Sequence, residues 1–69
     1  MTMTATLNQE TLKKKLLQYG YNFDDLARKA GVTKTTLRRG FNGRPVKPRT
    51  VKKIADVLDV DPLDIATTN

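Results

Sequence analysis

The sequence contains no cysteine, histidine, tryptophan or serine. A chain without cysteine and histidine has no zinc finger, no disulfide framework and no imidazole base. The lack of serine also removes the hydroxyl nucleophile of the commonest catalytic triads. No apolar run approaches the roughly 20 residues that span a bilayer, and no charged segment precedes an apolar one as in a secretory signal. These absences predict a non-enzymatic protein without metal or other cofactor, located in the cytoplasm and not in a membrane.

Positive charge dominates the middle of the chain. The 69 residues include 13 lysines and arginines against seven acidic residues, a formal net charge of +6. Residues 28–53 carry ten basic residues and no acidic one, whereas residues 54–69 carry four aspartates and no basic one. Such a concentration of one sign destabilises a folded protein unless a counter-charged partner binds there. Nucleic acid is the commonest such partner, since a membrane surface would require apolar anchors that this segment lacks.

A recurring start signal divides the chain into short helices. It consists of an apolar residue, a capping residue, and a second apolar residue five places after the first, which is the pattern of a hydrophobic staple around an N-cap. The four instances are Leu7-Asn8 with Leu12, Tyr21-Asn22 with Leu26, Val32-Thr33 with Leu37, and Val60-Asp61 with Ile65. No strand-like alternation persists in the sequence.

These start signals, together with glycine and proline, predict the extent of the helices. The predicted helices cover about 8–19, 23–30 and 33–42, a fourth that begins at Pro48, and a short fifth after Asp61-Pro62. The predicted buried stripes are Leu12, Leu16 and Leu17 in the first helix, and Val51, Ile54, Ala55 and Leu58 in the fourth. The sequence therefore predicts a compact all-α bundle of about five short helices over 8–66, with disordered tails at 1–7 and 67–69.

The second and third predicted helices, joined by a tight turn, have the pattern of a helix-turn-helix over residues 23–42. Close packing of the two helices requires a small residue, a glycine in the turn or an apolar residue at four positions. These positions are occupied by Ala27, Gly31, Val32 and Leu37. The chain resembles the lambda-repressor-like family of helix-turn-helix domains, that of phage repressors and Cro, also known as the Xre type. The segments that carry this resemblance, which covers 8–66, are LARKAGVTKTTL, Asn42-Gly43 and TVKKIADVLDVDP.

The chain departs from the family pattern at two positions. The family usually has a large aliphatic residue three places after the anchor Leu37, where this chain has Gly40. A glycine within a helix costs about 1 kcal/mol and leaves space in the core, which we expect Phe23 or Phe41 to fill. The family also often has glutamine at the first position of the second helix, where it contacts a phosphate. This chain has Phe23 there, so that contact is not carried over.

The outer face of the third predicted helix is the candidate reading surface. If Leu37 is at the centre of the buried face and each residue advances by about 100°, the polar side chains point outward. Contacts with base edges in the major groove are predicted for Lys34, Thr35, Arg38 and Arg39. Arginine and lysine suit guanine, and the threonine methyl suits that of thymine. We expect Arg39 to contact both base edges and phosphate groups. The alternative is that Arg38 and Arg39 are solvated side chains near the C-terminus of the helix, where positive charge interacts favourably with the helix dipole.

A second group of residues is predicted to hold the DNA backbone. It comprises Thr33, Asn42, Arg44, Lys47, Arg49 and Lys52. Contacts to phosphate give affinity and orientation without reading sequence. Thr33 is expected mainly to cap its helix, next to backbone N–H groups that can bind a phosphate. The resemblance implies that Arg49 lies near the minor groove, where it would sense the width of the groove in A·T-rich DNA.

Together these features favour a sequence-specific regulator of transcription that binds double-stranded DNA, of the repressor or Cro type found in prokaryotes and phages. The resemblance implies a homodimer on half-sites about 34 Å apart. The contact between the two copies is expected near Val60, Leu63 and Ile65. These residues could equally well cover the hydrophobic core of a single copy. Because the sequence predicts one small domain, no small-molecule effector is expected.

Two other functions remain open. One is a helix-turn-helix interaction protein, such as an antitoxin or antirepressor, whose main partner is another protein. The other is general binding of nucleic acid or RNA, which is disfavoured because the sequence lacks aromatic platforms that stack unpaired bases.

Overall fold

The computed structural model describes residues 3–68. The elements within them are β1 Ala5–Leu7, α1 Gln9–Tyr19, α2 Phe23–Ala30, α3 Lys34–Phe41, α4 Pro48–Leu58, α5 Pro62–Ile65 and β2 Ala66–Thr68. The prediction of an all-α bundle of five helices is confirmed, because the two strands have only three residues each and are a minor addition. Parts of the predicted tails, namely Met1, Thr2 and Asn69, lie outside the described residues.

Local capping fixes where the helices begin. The predicted N-cap side chains of Asn8, Asn22, Thr33 and Asp61 each accept a hydrogen bond from a backbone N–H of the following turn. Pro48 is the first residue of α4, where its missing N–H leaves no hydrogen bond unmade. Each of these starts follows from residues within one turn of the boundary, which is why the sequence predicts them correctly.

The core lies where all five helices meet. Its largest fully buried side chains are Leu12 from α1, Leu26 from α2, Leu37 from α3, Ile54 and Leu58 from α4, and Ile65 from α5. α4 packs against both α2 and α5, and α2 packs against α3. α4 therefore supports the helix-turn-helix pair through α2.

The buried stripe of α1 differs from the predicted one at Leu17. This side chain is 84% exposed, whereas Leu12 and Leu16 are buried. Because each residue advances by about 100°, Leu16 lies only about 40° from Leu12 around the helix, but Leu17 lies about 140° away. The prediction that Leu17 is buried is therefore wrong.

The ends of the chain form a small antiparallel sheet. β1 and β2 pair with Thr6 opposite Thr67, and Ala5 and Leu7 are buried while Thr6 is half-buried. The prediction of loose tails is therefore wrong for Ala5–Leu7 and for Thr67 and Thr68. Burying two aliphatic side chains on one face of β1 and pairing its backbone with β2 offsets the entropy lost on ordering the strand.

The space beside Gly40 is occupied by β1 and by the loop after α3. A Cβ added at Gly40 would lie 2.6 Å from Leu7 Cδ1 and 3.0 Å from Val46 Cγ1. These two side chains, and not Phe23, lie nearest to the space, so the expectation that Phe23 or Phe41 fills it is wrong for Phe23. The rings of Phe23 and Phe41 pack edge to face, with centroids 4.4 Å apart and an interplanar angle of 77°.

Candidate nucleic-acid interface

A left-handed glycine makes the turn that sets α3 across α2. Gly31 has φ 72° and ψ 30°, and the next residue, Val32, donates its backbone N–H to Ala27 O at 3.0 Å. Ala27 is buried in the adjacent turn of α2, and Leu37 is 1% exposed on the inner side of α3. Since an L side chain rarely adopts the φ of Gly31, glycine is the residue that allows this sharp connection. The turn leaves the opposite side of α3 facing solvent.

Threonines organise the start of α3. The Thr33 hydroxyl oxygen accepts the backbone N–H of Thr36 at 3.2 Å, and the two hydroxyl groups lie 2.9 Å apart. Thr33 is thus the N-cap, as expected, and its side chain is directed along the helix. The first backbone N–H groups of α3 carry the positive end of the helix dipole, which favours an anion at this position.

The predicted base-reading residues lie together on one surface. An open depression along α3 is lined by Lys34, Thr35, Arg38, Arg39 and Asn42. All five residues are exposed. Four of them are the predicted base-reading set. The fifth, Asn42, is the C-cap of α3 and belongs to the group predicted to hold the DNA backbone. The face that α3 turns away from the core is therefore polar, cationic and free of large apolar side chains.

A second depression continues this surface into the loop before α4. It is lined by Thr36, Arg39, Pro45, Val46, Lys47 and Thr50. Arg39 is common to both depressions and joins the helix surface to the loop surface. Four other residues predicted to hold the DNA backbone are exposed but line neither of these two depressions, namely Thr33, Arg44, Arg49 and Lys52.

The loop between α3 and α4 is held by backbone hydrogen bonds at both of its ends. Arg44 donates to Arg39 O at 3.1 Å, which continues the end of α3. Further along, Val46 donates to Ala5 O at 2.8 Å and accepts from Ala5 N–H at 2.9 Å. Lys47 follows directly and is the N-cap of α4, without a side-chain capping bond. Loop residues that face solvent thus have a defined backbone behind them.

Two of the predicted DNA-contacting lysines have carboxylate partners in the free protein. Lys34 Nζ lies 3.0 Å from Asp24 Oδ1, and Lys52 Nζ lies 3.2 Å from Asp56 Oδ1. Both pairs are exposed, and such pairs contribute about 0–1 kcal/mol, so neither lysine is held strongly by its carboxylate partner. Within residues 3–68, no ion pair shorter than 4.0 Å involves Arg38, Arg39 or Lys47. These three cations are available to an anionic ligand without releasing a partner.

Some residues of this surface were not predicted from the sequence. Thr36, Pro45 and Thr50 line the loop depression, and Thr50 is buried. Thr36 stands three places after the N-cap Thr33, a spacing that could have indicated it. Pro45 and Thr50 come to this surface only through the path of the loop, for which the sequence contains no local signal.

Two searches of the described residues found nothing. No helix in residues 3–68 has the length and apolar character needed to cross a bilayer. In the same residues, no three acidic side chains are grouped closely enough to hold a metal ion.

The packed pair of α2 and α3, with the cationic outer face of α3, is the arrangement of a DNA-binding regulator, and the family match below agrees with a non-enzymatic protein of this class. A family model described as helix-turn-helix matches residues 12–65, and the chain belongs to this family, of the Cro/C1 type.

Similarity to a solved structure extends over the whole fold. The chain is similar to the transcriptional regulator VanUg in its crystal form II, with a TM-score of 0.75 and 23% sequence identity. The match covers 100% of this chain and 89% of that one. At this identity the match establishes a shared fold. No curated protein matches the sequence significantly.

Proposed function

We propose that the chain is a sequence-specific regulator of transcription that occupies double-stranded DNA in the manner of a repressor. The observation that carries the proposal is the continuous depression along α3, in which Lys34, Thr35, Arg38 and Arg39 stand side by side and exposed. A major groove about 12 Å wide admits one α-helix, and each base pair presents a distinct pattern of donors and acceptors there. Side chains on one face of such a helix meet successive base edges.

The roles proposed for these side chains follow from their chemistry. Arg38 and Lys34 suit the O6 and N7 acceptors of guanine, and the methyl of Thr35 suits the methyl of thymine. Thr33, Asn42, Arg44, Lys47, Arg49 and Lys52 are proposed to contact the DNA backbone. The loop depression supports this role for Lys47, because Lys47 lies beside Arg39 at the end of the reading surface.

We further propose that two copies bind together on an inverted repeat. Of the residues expected to make the self-contact, Ile65 is fully buried in the core and is excluded from it. Leu63 is 75% exposed and borders an apolar groove that Met3 and Pro62 also line. A second copy seated here would bury a large aliphatic side chain that otherwise contacts water.

The same apolar groove favours one other candidate function. An antitoxin or antirepressor would use this surface for a different protein, and its main partner would not be DNA. The cationic outer face of α3 is better explained by the first proposal, because a protein partner at Leu63 leaves that face without a ligand.

Selection of bound duplexes from a random DNA pool tests the proposal directly. The expected result is an enriched inverted repeat with half-site centres about 34 Å apart, since two recognition helices of a dimer enter successive major grooves on one side of the duplex. On titration with the enriched duplex, the backbone amides of residues 33–43 are expected to shift. Enrichment of no sequence, together with undisturbed amides in this range on titration with an arbitrary duplex at low ionic strength, would contradict the proposal and favour the interaction protein.

A further inference from the structure

Strand β1 contacts the inner side of α3 at Gly40, the position of that helix that has no side chain. Leu7 is 5% exposed, and its Cδ1 lies 2.6 Å from where a Cβ at Gly40 would stand. At this distance the side chain of Leu7 occupies the place that any larger residue at Gly40 would need. Gly40 directly follows Arg39 and stands two places before Asn42, both of which line the depression along α3. Leu7 therefore packs against the C-terminal half of α3 at Gly40.

The same strand holds the loop that follows α3. Ala5 and Val46 exchange two backbone hydrogen bonds, of 2.9 Å and 2.8 Å, on the side of β1 opposite β2. Val46 is itself buried, and its Cγ1 lies 3.0 Å from the position of a Cβ at Gly40. Lys47 follows Val46 and lines the loop depression together with Arg39. A three-residue strand thus contacts both segments whose outer surfaces carry the proposed DNA contacts.

We propose that β1 is a positioning element for DNA recognition, in which Leu7 seats α3 through Gly40 and Ala5 sets the loop through Val46. This inference rests on the proposed function and deepens it. Neither residue touches DNA. Because base edges are read through hydrogen bonds whose geometry is narrow, a small shift of α3 relative to the loop reduces the discrimination between sequences more than the total affinity.

The test compares two buried leucines that differ in what they touch. Leu7→Ala removes the contact with Gly40, and Leu16→Ala removes a side chain of nearly equal burial, 8% exposed, from α1. α1 has its main packing partners in α4 and α5. Binding is measured on the duplex selected from the random pool and on a scrambled duplex, at a temperature at which circular dichroism shows every variant to be folded. A milder pair, Leu7→Val and Leu16→Val, replaces the alanine variants if either is unfolded.

The ratio of affinities for the selected and scrambled duplexes is the quantity that decides. Leu7→Ala is expected to reduce it about tenfold, the equivalent of losing one good base contact, and Leu16→Ala less than about threefold. Leu7→Met, which nearly conserves volume, is expected to restore the ratio to within about twofold of the parent. Equal reductions for the two alanine variants, or none for Leu7→Ala, would overturn the inference.

Amide hydrogen exchange without DNA separates a failure of this inference from a failure of the proposed function. In the free protein, Leu7→Ala is expected to speed exchange at Asn42, Arg44 and Val46 at least about fivefold more than Leu16→Ala does. The protection of these amides depends on how α3 and the following loop pack against β1. If the parent chain shows no preference for any duplex, the proposed function fails. If exchange at these amides is the same in both variants, β1 does not position them, whatever the parent chain binds.

Discussion

Two cations of this interface, Arg38 and Lys47, have the same charge but different surroundings. Arg38 stands among the side chains of the α3 depression, whereas Lys47 is in the loop depression at the start of α4. The guanidinium group of arginine is planar and can pair with two acceptors of one base, whereas the lysine ammonium acts as a point charge suited to phosphate. Their substitutions are therefore expected to have different consequences.

Arg38→Ala is expected to cost about 1–3 kcal/mol on the selected duplex and much less on a scrambled one, since it removes a contact with a base edge. Lys47→Ala is expected to weaken binding to both duplexes alike and to reduce the slope of log affinity against log salt by about one. Both variants are measured by titration at two salt concentrations. Lys14→Ala, which removes one exposed charge from α1, is the control. Equal losses on both duplexes for Arg38→Ala would exclude its base-reading role.

At the scale of the elements, the two halves of α3 are held in different ways. Its N-terminal half is fixed locally by the Thr33 cap and by Leu37 in the core. Its C-terminal half lies against Leu7 and Val46, which come from a strand and a loop. The glycine that weakens the helix at position 40 is thus the residue that lets these two side chains approach.

Gly40→Leu is expected to lower the free energy of unfolding by about 1–3 kcal/mol, because the added side chain has no space beside Leu7 and Val46. In an open helix the same change would raise stability by about 1 kcal/mol through helix propensity. Urea denaturation followed by circular dichroism measures the difference. Thr35→Leu, on the exposed side of α3, is the control and is expected to change stability by less than about 0.5 kcal/mol. A gain for Gly40→Leu would mean that the space is open.

At the scale of the whole molecule, two leucine side chains among residues 3–68 are largely exposed to water. Leu63 is 75% exposed on α5 and Leu17 is 84% exposed on α1. Single exposed leucines are ordinary on protein surfaces, but Leu63 borders an apolar groove that both strands help to line. This difference makes Leu17 a matched control for the proposed self-contact.

Leu63→Asp is expected to leave the fold and the binding of a single half-site nearly unchanged while abolishing joint occupancy of the inverted repeat, because a charge cannot be buried unpaired between two copies. Leu17→Asp adds the same charge at a similarly exposed site and is expected to keep joint occupancy. Electrophoretic mobility of complexes with one and two half-sites distinguishes the two. If Leu63→Asp still fills both half-sites together, the self-contact lies elsewhere.

Features that depend on neighbours within one turn could be predicted from the sequence. The caps Asn8, Asn22, Thr33 and Asp61 act on amides of the following turn, so the helix starts followed from local chemistry. The outer face of α3 followed in the same way, because the helical period places Lys34, Thr35 and Arg38 on one side once Leu37 is inside.

Only the tertiary structure decided what distant parts of the chain do to one another. Ala5 pairs with Thr68 and with Val46. A strand of three residues has no local sequence pattern that predicts pairing partners so far along the chain. Sequence alone therefore determined the helices, the helix-turn-helix and the cationic face of α3. The folded chain decided that Leu7 fills the space at Gly40 and that Arg39 joins helix to loop, because both depend on contacts between segments whose approach is set by packing of the whole core.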